Sequence, residues 1–246
     1  MHTETLVLPD GRRIAWRRVP GAGPGVVFLG GFRSDMTGTK ASFLDAWARA
    51  RGQAFLRFDY SGHGASGGNF AEGTIGRWAA DAAAVLDALA EGPQILVGSS
   101  MGGWISLLLA VQRPERLAGL IGIAAAPDFT EWGYTEAEKE MLRGDGRLEQ
   151  PNPYGDQPQL TTLGFWESGE AMRLLNSEIA IHCPVRLVHG DRDEDVPLDV
   201  AFRLKDRLRS GDVQVTVIKG GGHRLSTPHE IDAIRRTVAA LLEPPE

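Results

Sequence analysis

The sequence predicts an α/β fold in which a mostly parallel, eight-stranded sheet is flanked by helices and interrupted by a small lid insertion. Short apolar runs alternate with longer amphipathic ones along most of the chain, the pattern of strands covered by helices. The turn signal Pro9-Asp10-Gly11 separates the first two apolar runs and predicts a hairpin ahead of the parallel part. With 246 residues and 42% hydrophobic content, the chain can bury one sizeable core, so a single domain over 1 to 246 is expected.

Strands are read at 4 to 8, 12 to 18, 25 to 29, 53 to 58, 94 to 98, 117 to 123, 185 to 189 and 213 to 218. Between them, 40 to 51, 75 to 90, 101 to 112, 199 to 209 and 228 to 242 place apolar residues three and four apart and read as helices. Two helix ends are marked: Gly92-Pro93 stops the helix that begins near Thr74, and Thr227-Pro228-His229-Glu230 can form a capping box. Residues 127 to 182 break the alternation with aromatic clusters, prolines and glycines and no convincing strand. Too long for an ordinary connection, this stretch is expected to be a lid with its own short helices.

Composition narrows the function. Acidic and basic residues are interspersed and the formal net charge is −6, which argues against nucleic acid as a partner. Arg12, Arg13, Arg17 and Arg18 read as the solvated face of the N-terminal hairpin. Cys183 is the single cysteine, so no intramolecular disulfide can form, and its place before Pro184 at a strand entrance suits an inert thiol. No signal peptide, Arg-rich acid-poor leader or apolar run of spanning length is visible, and a soluble, cytoplasmic protein is expected.

The chemistry centres on Gly98-Ser99-Ser100-Met101-Gly102, a GxSxG pattern between a buried strand and an apolar helix. A serine on so sharp a turn is strained, and side chains two residues to either side would collide unless very small. Ser100 is therefore the expected nucleophile and Ser99 a flanking residue, with the Met101 N–H exposed at a helix N-terminus as an oxyanion donor. A serine needs a base and an orienting acid. Of six histidines, His2, His63, His182, His189 and His229 fall in a terminus, a glycine loop, the insertion's end, a strand and a helix turn. His223 follows the last strand in a glycine loop and is the expected base. The acid should follow an earlier strand; HGDRDEDVP, 189 to 197, offers Asp193, with Asp128 in reserve. Gly30 and Gly31 let the next loop curl inward, making the Phe32 N–H the second oxyanion donor.

With these residues in this order the sequence resembles the α/β-hydrolase superfamily over nearly its whole length. FLGGFRSDMTGTKA, RFDYSGHGASGGNF, LVGSSMGGW and HGDRDEDVP look like the branch that includes the acyl-protein thioesterase and mycophenolic acid acyl-glucuronide esterase of animal mitochondria. The resemblance implies a serine hydrolase of esters or thioesters without metal or organic cofactor, with Ser100, Asp193 and His223 as triad and Phe32 and Met101 at the oxyanion positions. Asp59 and His63 belong to a loop the family keeps near the site and are read as structural. Trp132, Tyr134, Phe165, Trp166 and Met172 are candidates for lining an acyl pocket under the insertion. The expected partner is a small-molecule ester or acyl thioester, or an acylated protein. The same triad serves carbon–carbon hydrolases and perhydrolases, and the fold also serves non-catalytic ligand binders. A serine at position 100 argues against the dehalogenase and epoxide hydrolase branches, which use aspartate.

Overall fold

A computed structural model describes residues 2–151 and 158–243. Its elements run, in chain order, β1 (Glu4–Val7), β2 (Arg13–Val19), β3 (Ala22–Leu29), α1 (Thr39–Arg51), β4 (Gln53–Phe58), α2 (Ile75–Leu89), β5 (Gln94–Ser99), α3 (Met101–Gln112) and β6 (Leu117–Ile123). The segment from 127 to 182 contributes α4 (Phe129–Trp132), α5 (Glu136–Asp145), β7 (Arg147–Gln150), β8 (Gln159–Thr162) and α6 (Leu163–Ala171). The alternation then resumes with β9 (Val185–Gly190), α7 (Leu198–Arg207), β10 (Val213–Ile218) and α8 (Pro228–Leu242).

Eight strands form one sheet in the order β1-β2-β4-β3-β5-β6-β9-β10. The β1–β2 hairpin is antiparallel, β2 meets β4 antiparallel, and the other pairings are parallel. Both sheet faces are covered, so the central strands are buried along their length, yet the two-residue period persists in what each side chain touches. Val27, Leu29 and Leu96 pack against α2 and α3, whereas Val26, Phe28, Ile95 and Val97 pack against α1 and α8. At the start of α8, Glu230 accepts the Thr227 N–H at 2.7 Å, the reciprocal half of the expected capping box.

Two readings need correction. The insertion does contain strands: β7 and β8 pair antiparallel, and they escaped notice because only Leu148 and Thr161 are buried among their eight polar-rich residues. Residues 152–157, also within the expected lid, lie outside the described residues. Arg12 is not simply solvated; it pairs with the buried Asp81 of α2. Asp81 in turn accepts the Ser61 N–H at 2.9 Å and hydroxyl at 2.6 Å, tying the hairpin to the loop after β4.

Candidate active site

The parallel strands deliver their C-terminal ends to one edge, where loops after β3, β5, β9 and β10 converge. Ser99 closes β5, and Ser100 turns the chain into α3 with φ 53° and ψ −118°, a left-handed conformation costing a β-carbon-bearing residue roughly 1–3 kcal/mol. Three backbone bonds hold it there: the Ser100 N–H donates to Ile123 O at 2.9 Å, and its carbonyl accepts from Gly103 at 2.9 Å and Ala126 at 3.1 Å. A β-carbon on Gly98 would strike the Gly102 carbonyl, and one on Gly102 the carbonyls of Leu29 and Gly30. The collisions expected from the pattern are therefore with backbone, which cannot move aside.

The turn aims Ser100 Oγ at His223 Nε2, 3.0 Å away, and His223 Nδ1 lies 2.9 Å from Asp193 Oδ2. Neighbouring loops bring these groups together because they cross at glycine: a β-carbon on Gly190 would overlap the Gly221 backbone. The Asp191 N–H donates to Ile218 O at 3.1 Å and the Arg192 N–H to Gly221 O at 2.9 Å, locking one loop on the other. The Asp193 side chain is fully buried. Burial alone would raise its carboxyl, but hydrogen bonds from His189, His223 and the Val196 N–H outweigh that cost and hold it well below the usual carboxylate range. An ionised acid, an imidazole and a hydroxyl in line can carry a proton from serine to histidine as the serine attacks.

Asp128, the reserve acid, has a different employment. Fully buried where α4 begins, it accepts the N–H groups of Leu174 at 2.8 Å and Leu175 at 2.7 Å, pinning the chain that leaves α6; burial holds its carboxyl above the ordinary value.

Above the serine, the loop after β3 comes so close that a β-carbon on Gly31 would sit 3.4 Å from Ser100 Cβ. Phe32 follows Gly31 in that loop, and Met101 opens α3, where a helix leaves its first N–H groups without intrahelical partners. Asp59 and His63 brace that loop. Asp59 accepts from Met36 N at 2.6 Å and Ala65 N at 2.8 Å; His63 Nε2 accepts the Arg33 N–H at 3.3 Å, and its Nδ1 faces Ser61 O at 3.4 Å. Burial drives the His63 imidazole down to about 4, so it stays a neutral acceptor.

Of the pocket candidates, Phe165 stands against the loop after β3, its ring 5.4 Å from that of Phe32. With Phe70, Trp78, Leu160 and Thr162 these two line a slot of about 10 Å³, room for roughly one water. Met172 packs beside this cluster. Trp132 and Trp166 do not line the slot: Trp132 donates to Pro127 O at 2.9 Å, and Trp166 packs with Tyr134, Leu142 and Leu148 in the insertion's own core. Trp166 follows Phe165 on one helix, so the two diverge. A larger hollow, about 360 Å³, lies at the opposite strand ends between Gly25, Ala54 and Gln94, away from the chemistry. Among the described residues, Asp193, Asp195 and His223 bring three potential metal-binding groups within 4.8 Å, two of them already bonded to each other. The Cys183 thiol is pushed up by burial, away from reactivity.

What the sequence reading missed is His189, taken as an ordinary strand residue. It is buried, with Nε2 3.3 Å from Asp193 Oδ2. Its spacing of four from Asp193 was visible, but not that the turn folds back upon it.

The family described as serine aminopeptidase, S33, matches residues 25–148. Palmitoyl-protein thioesterase ABHD10, mitochondrial, of Mus musculus is 41% identical over 236 residues, 94% of this chain and 79% of that protein. Its Homo sapiens counterpart is 38% identical over 239 residues, 96% and 78% of the two chains. The solved structure of alpha/beta hydrolase domain-containing protein 10 from mouse superposes with a TM-score of 0.92 at 38% identity, covering 98% of each chain. These relatives overturn the cytoplasmic location expected from the sequence, since both curated proteins are named as mitochondrial. No helix among the described residues is long and apolar enough to cross a membrane.

Proposed function

This chain belongs to the α/β-hydrolase superfamily and is a serine hydrolase of esters or thioesters, and from that premise we propose that Ser100, His223 and Asp193 are its catalytic triad and that its substrate is a lipophilic acyl thioester carried on a protein. One observation carries the triad: Ser100 Oγ, His223 and the buried Asp193 carboxylate stand in line at 3.0 and 2.9 Å on a strained turn. The acyl class is supported by the thioesterase relatives and by the aromatic slot against Phe32.

His223 Nε2 takes the Ser100 proton as Oγ attacks the acyl carbonyl. The resulting oxyanion receives the Phe32 and Met101 N–H groups, worth about 100-fold to 1000-fold each in turnover. The imidazolium, its charge stabilised by Asp193, then protonates the leaving thiol or alcohol. Water repeats the sequence: His223 removes its proton as the water oxygen attacks the acyl carbonyl, the second tetrahedral intermediate breaks its bond to Oγ, His223 returns the proton to Ser100, and the free acid departs. The segment from 127 to 182 acts as the lid, with Phe165 and the β8 residues Leu160 and Thr162 covering the acyl side. A slot the size of one water must widen before a long acyl chain enters, so lid movement precedes acylation of Ser100 by such substrates.

The test is hydrolysis of p-nitrophenyl esters from acetyl to palmitoyl, and of an S-palmitoylated peptide, by the wild type and Ser100→Ala. Turnover of the peptide that vanishes in the variant is expected. Retention of turnover by Ser100→Ala would remove Ser100 as nucleophile, and short esters cleaved without the palmitoylated peptide would remove the substrate class.

A further inference from the structure

His189 is the penultimate residue of β9, with 1% of its surface exposed, and the reaction just described makes no use of it. Its Nε2 lies 2.9 Å from the Val196 carbonyl oxygen and 3.3 Å from Asp193 Oδ2. Both neighbours are acceptors, the carboxylate being ionised, so Nε2 bears a hydrogen and shares it between them. Val196 closes the ring: its N–H donates to Asp193 Oδ1 at 2.9 Å, alongside the Asp195 N–H at 3.0 Å. Asp193 thus receives backbone donors on one oxygen and two imidazoles on the other.

The carboxylate torsion of aspartate is broad and nearly two-fold, so one hydrogen bond to His223 would leave it free to turn. Donors on both oxygens remove that freedom. We propose that His189 is a positioning residue for the triad: its Nε2–H holds Asp193 Oδ2 in the orientation that meets His223 Nδ1 and takes up part of the carboxylate's charge. This rests on the triad reading above. One consequence, reversed when a donor is restored, separates it from mere packing. Without the donor, Asp193 loses alignment and the chemical step slows. Asp195 faces the same pair, within 4.8 Å, and is unchanged by the substitution.

The experiment compares wild type, His189→Met, which removes the donor, and His189→Gln, whose amide can restore it, on p-nitrophenyl butyrate across pH. His189→Met is expected to lose about 10-fold to 100-fold in kcat with KM little changed. His189→Gln should recover most of that loss. Wild-type kcat in His189→Met, or equal losses in Met and Gln, would overturn the proposal. Should His189→Met not fold, ¹⁵N-histidine spectra of the wild type and Asp193→Asn decide it: the His189 Nε2–H resonance must move when the carboxylate is removed, and an unmoved resonance overturns the inference. Fluorophosphonate labelling of wild type but not Ser100→Ala is read alongside; its failure would remove the triad reading itself, whatever His189 does.

Discussion

Asp193→Asn preserves the size of the acid but replaces one acceptor oxygen with an NH2 donor, so His223 loses the partner that fixes its tautomer. Turnover should fall on the order of 10⁴-fold while circular dichroism stays unchanged, because the effect is on proton placement and not on packing. Near-normal kcat in this variant would exclude Asp193 as the orienting acid. Gly102→Ala tests the turn. Its β-carbon would press on the Leu29 and Gly30 carbonyls and displace the loop bearing Phe32, so kcat/KM should drop by about 100-fold or more, with slower fluorophosphonate labelling as the check. At this scale much was legible. A strained serine demands small neighbours, and GxSxG is a local rule that sequence displays directly. The choice between Asp193 and Asp128 was not local: both follow strands, and packing alone sends one to His223 and the other to the N–H groups of Leu174 and Leu175.

Among the elements, the segment carrying α4, α5, the β7–β8 hairpin and α6 is closed at its base by Asp128, which ties its start to the chain leaving α6. Asp128→Ala leaves two N–H groups without their acceptor, and each costs roughly 1–3 kcal/mol when buried. Lower melting temperature with persistent fluorophosphonate labelling of Ser100 is therefore expected; loss of labelling at temperatures where the variant is folded would show that the clamp also shapes the site. On the same segment, Phe165→Leu removes a ring that stands against Phe32 and Trp78 in the slot. The ratio of rates on dodecanoyl and acetyl p-nitrophenyl esters should rise several-fold, and an unchanged ratio would place the acyl chain elsewhere. The eight sheet strands and their five helices were readable because short apolar runs alternate with longer amphipathic ones. The hairpin was not, since a two-stranded ribbon at the surface buries too little to leave an alternation.

For the whole molecule, acid is the informative perturbation. An unfolded histidine binds a proton near pH 6.5, but burial lets folded His63 do so only near pH 4. Between those values the unfolded chain holds more protons, so stability falls as pH drops, by at most about 3 kcal/mol from this group. Buried Asp59, Asp81 and Asp128, whose carboxyls are raised chiefly by burial, act in the opposite sense at lower pH. Urea unfolding of wild type and His63→Phe from pH 7 to 4 isolates the histidine. The variant starts less stable, having lost the acceptor for Arg33, but its slope in this window should be flatter, and equal slopes would deny His63 the role. Sequence by itself determined the fold class, the order of the strands along the chain and the glycine-flanked turn at Ser100, since each rests on a period or a steric rule confined to a few neighbouring residues. Only the tertiary structure decided which carboxylate reaches His223, that His189 stands behind it, that Trp166 packs the insertion while Phe165 faces the slot, and how narrow that slot is. Those are distances between groups brought together by loops crossing at Gly190 and Gly221, and a linear pattern carries no measure of them.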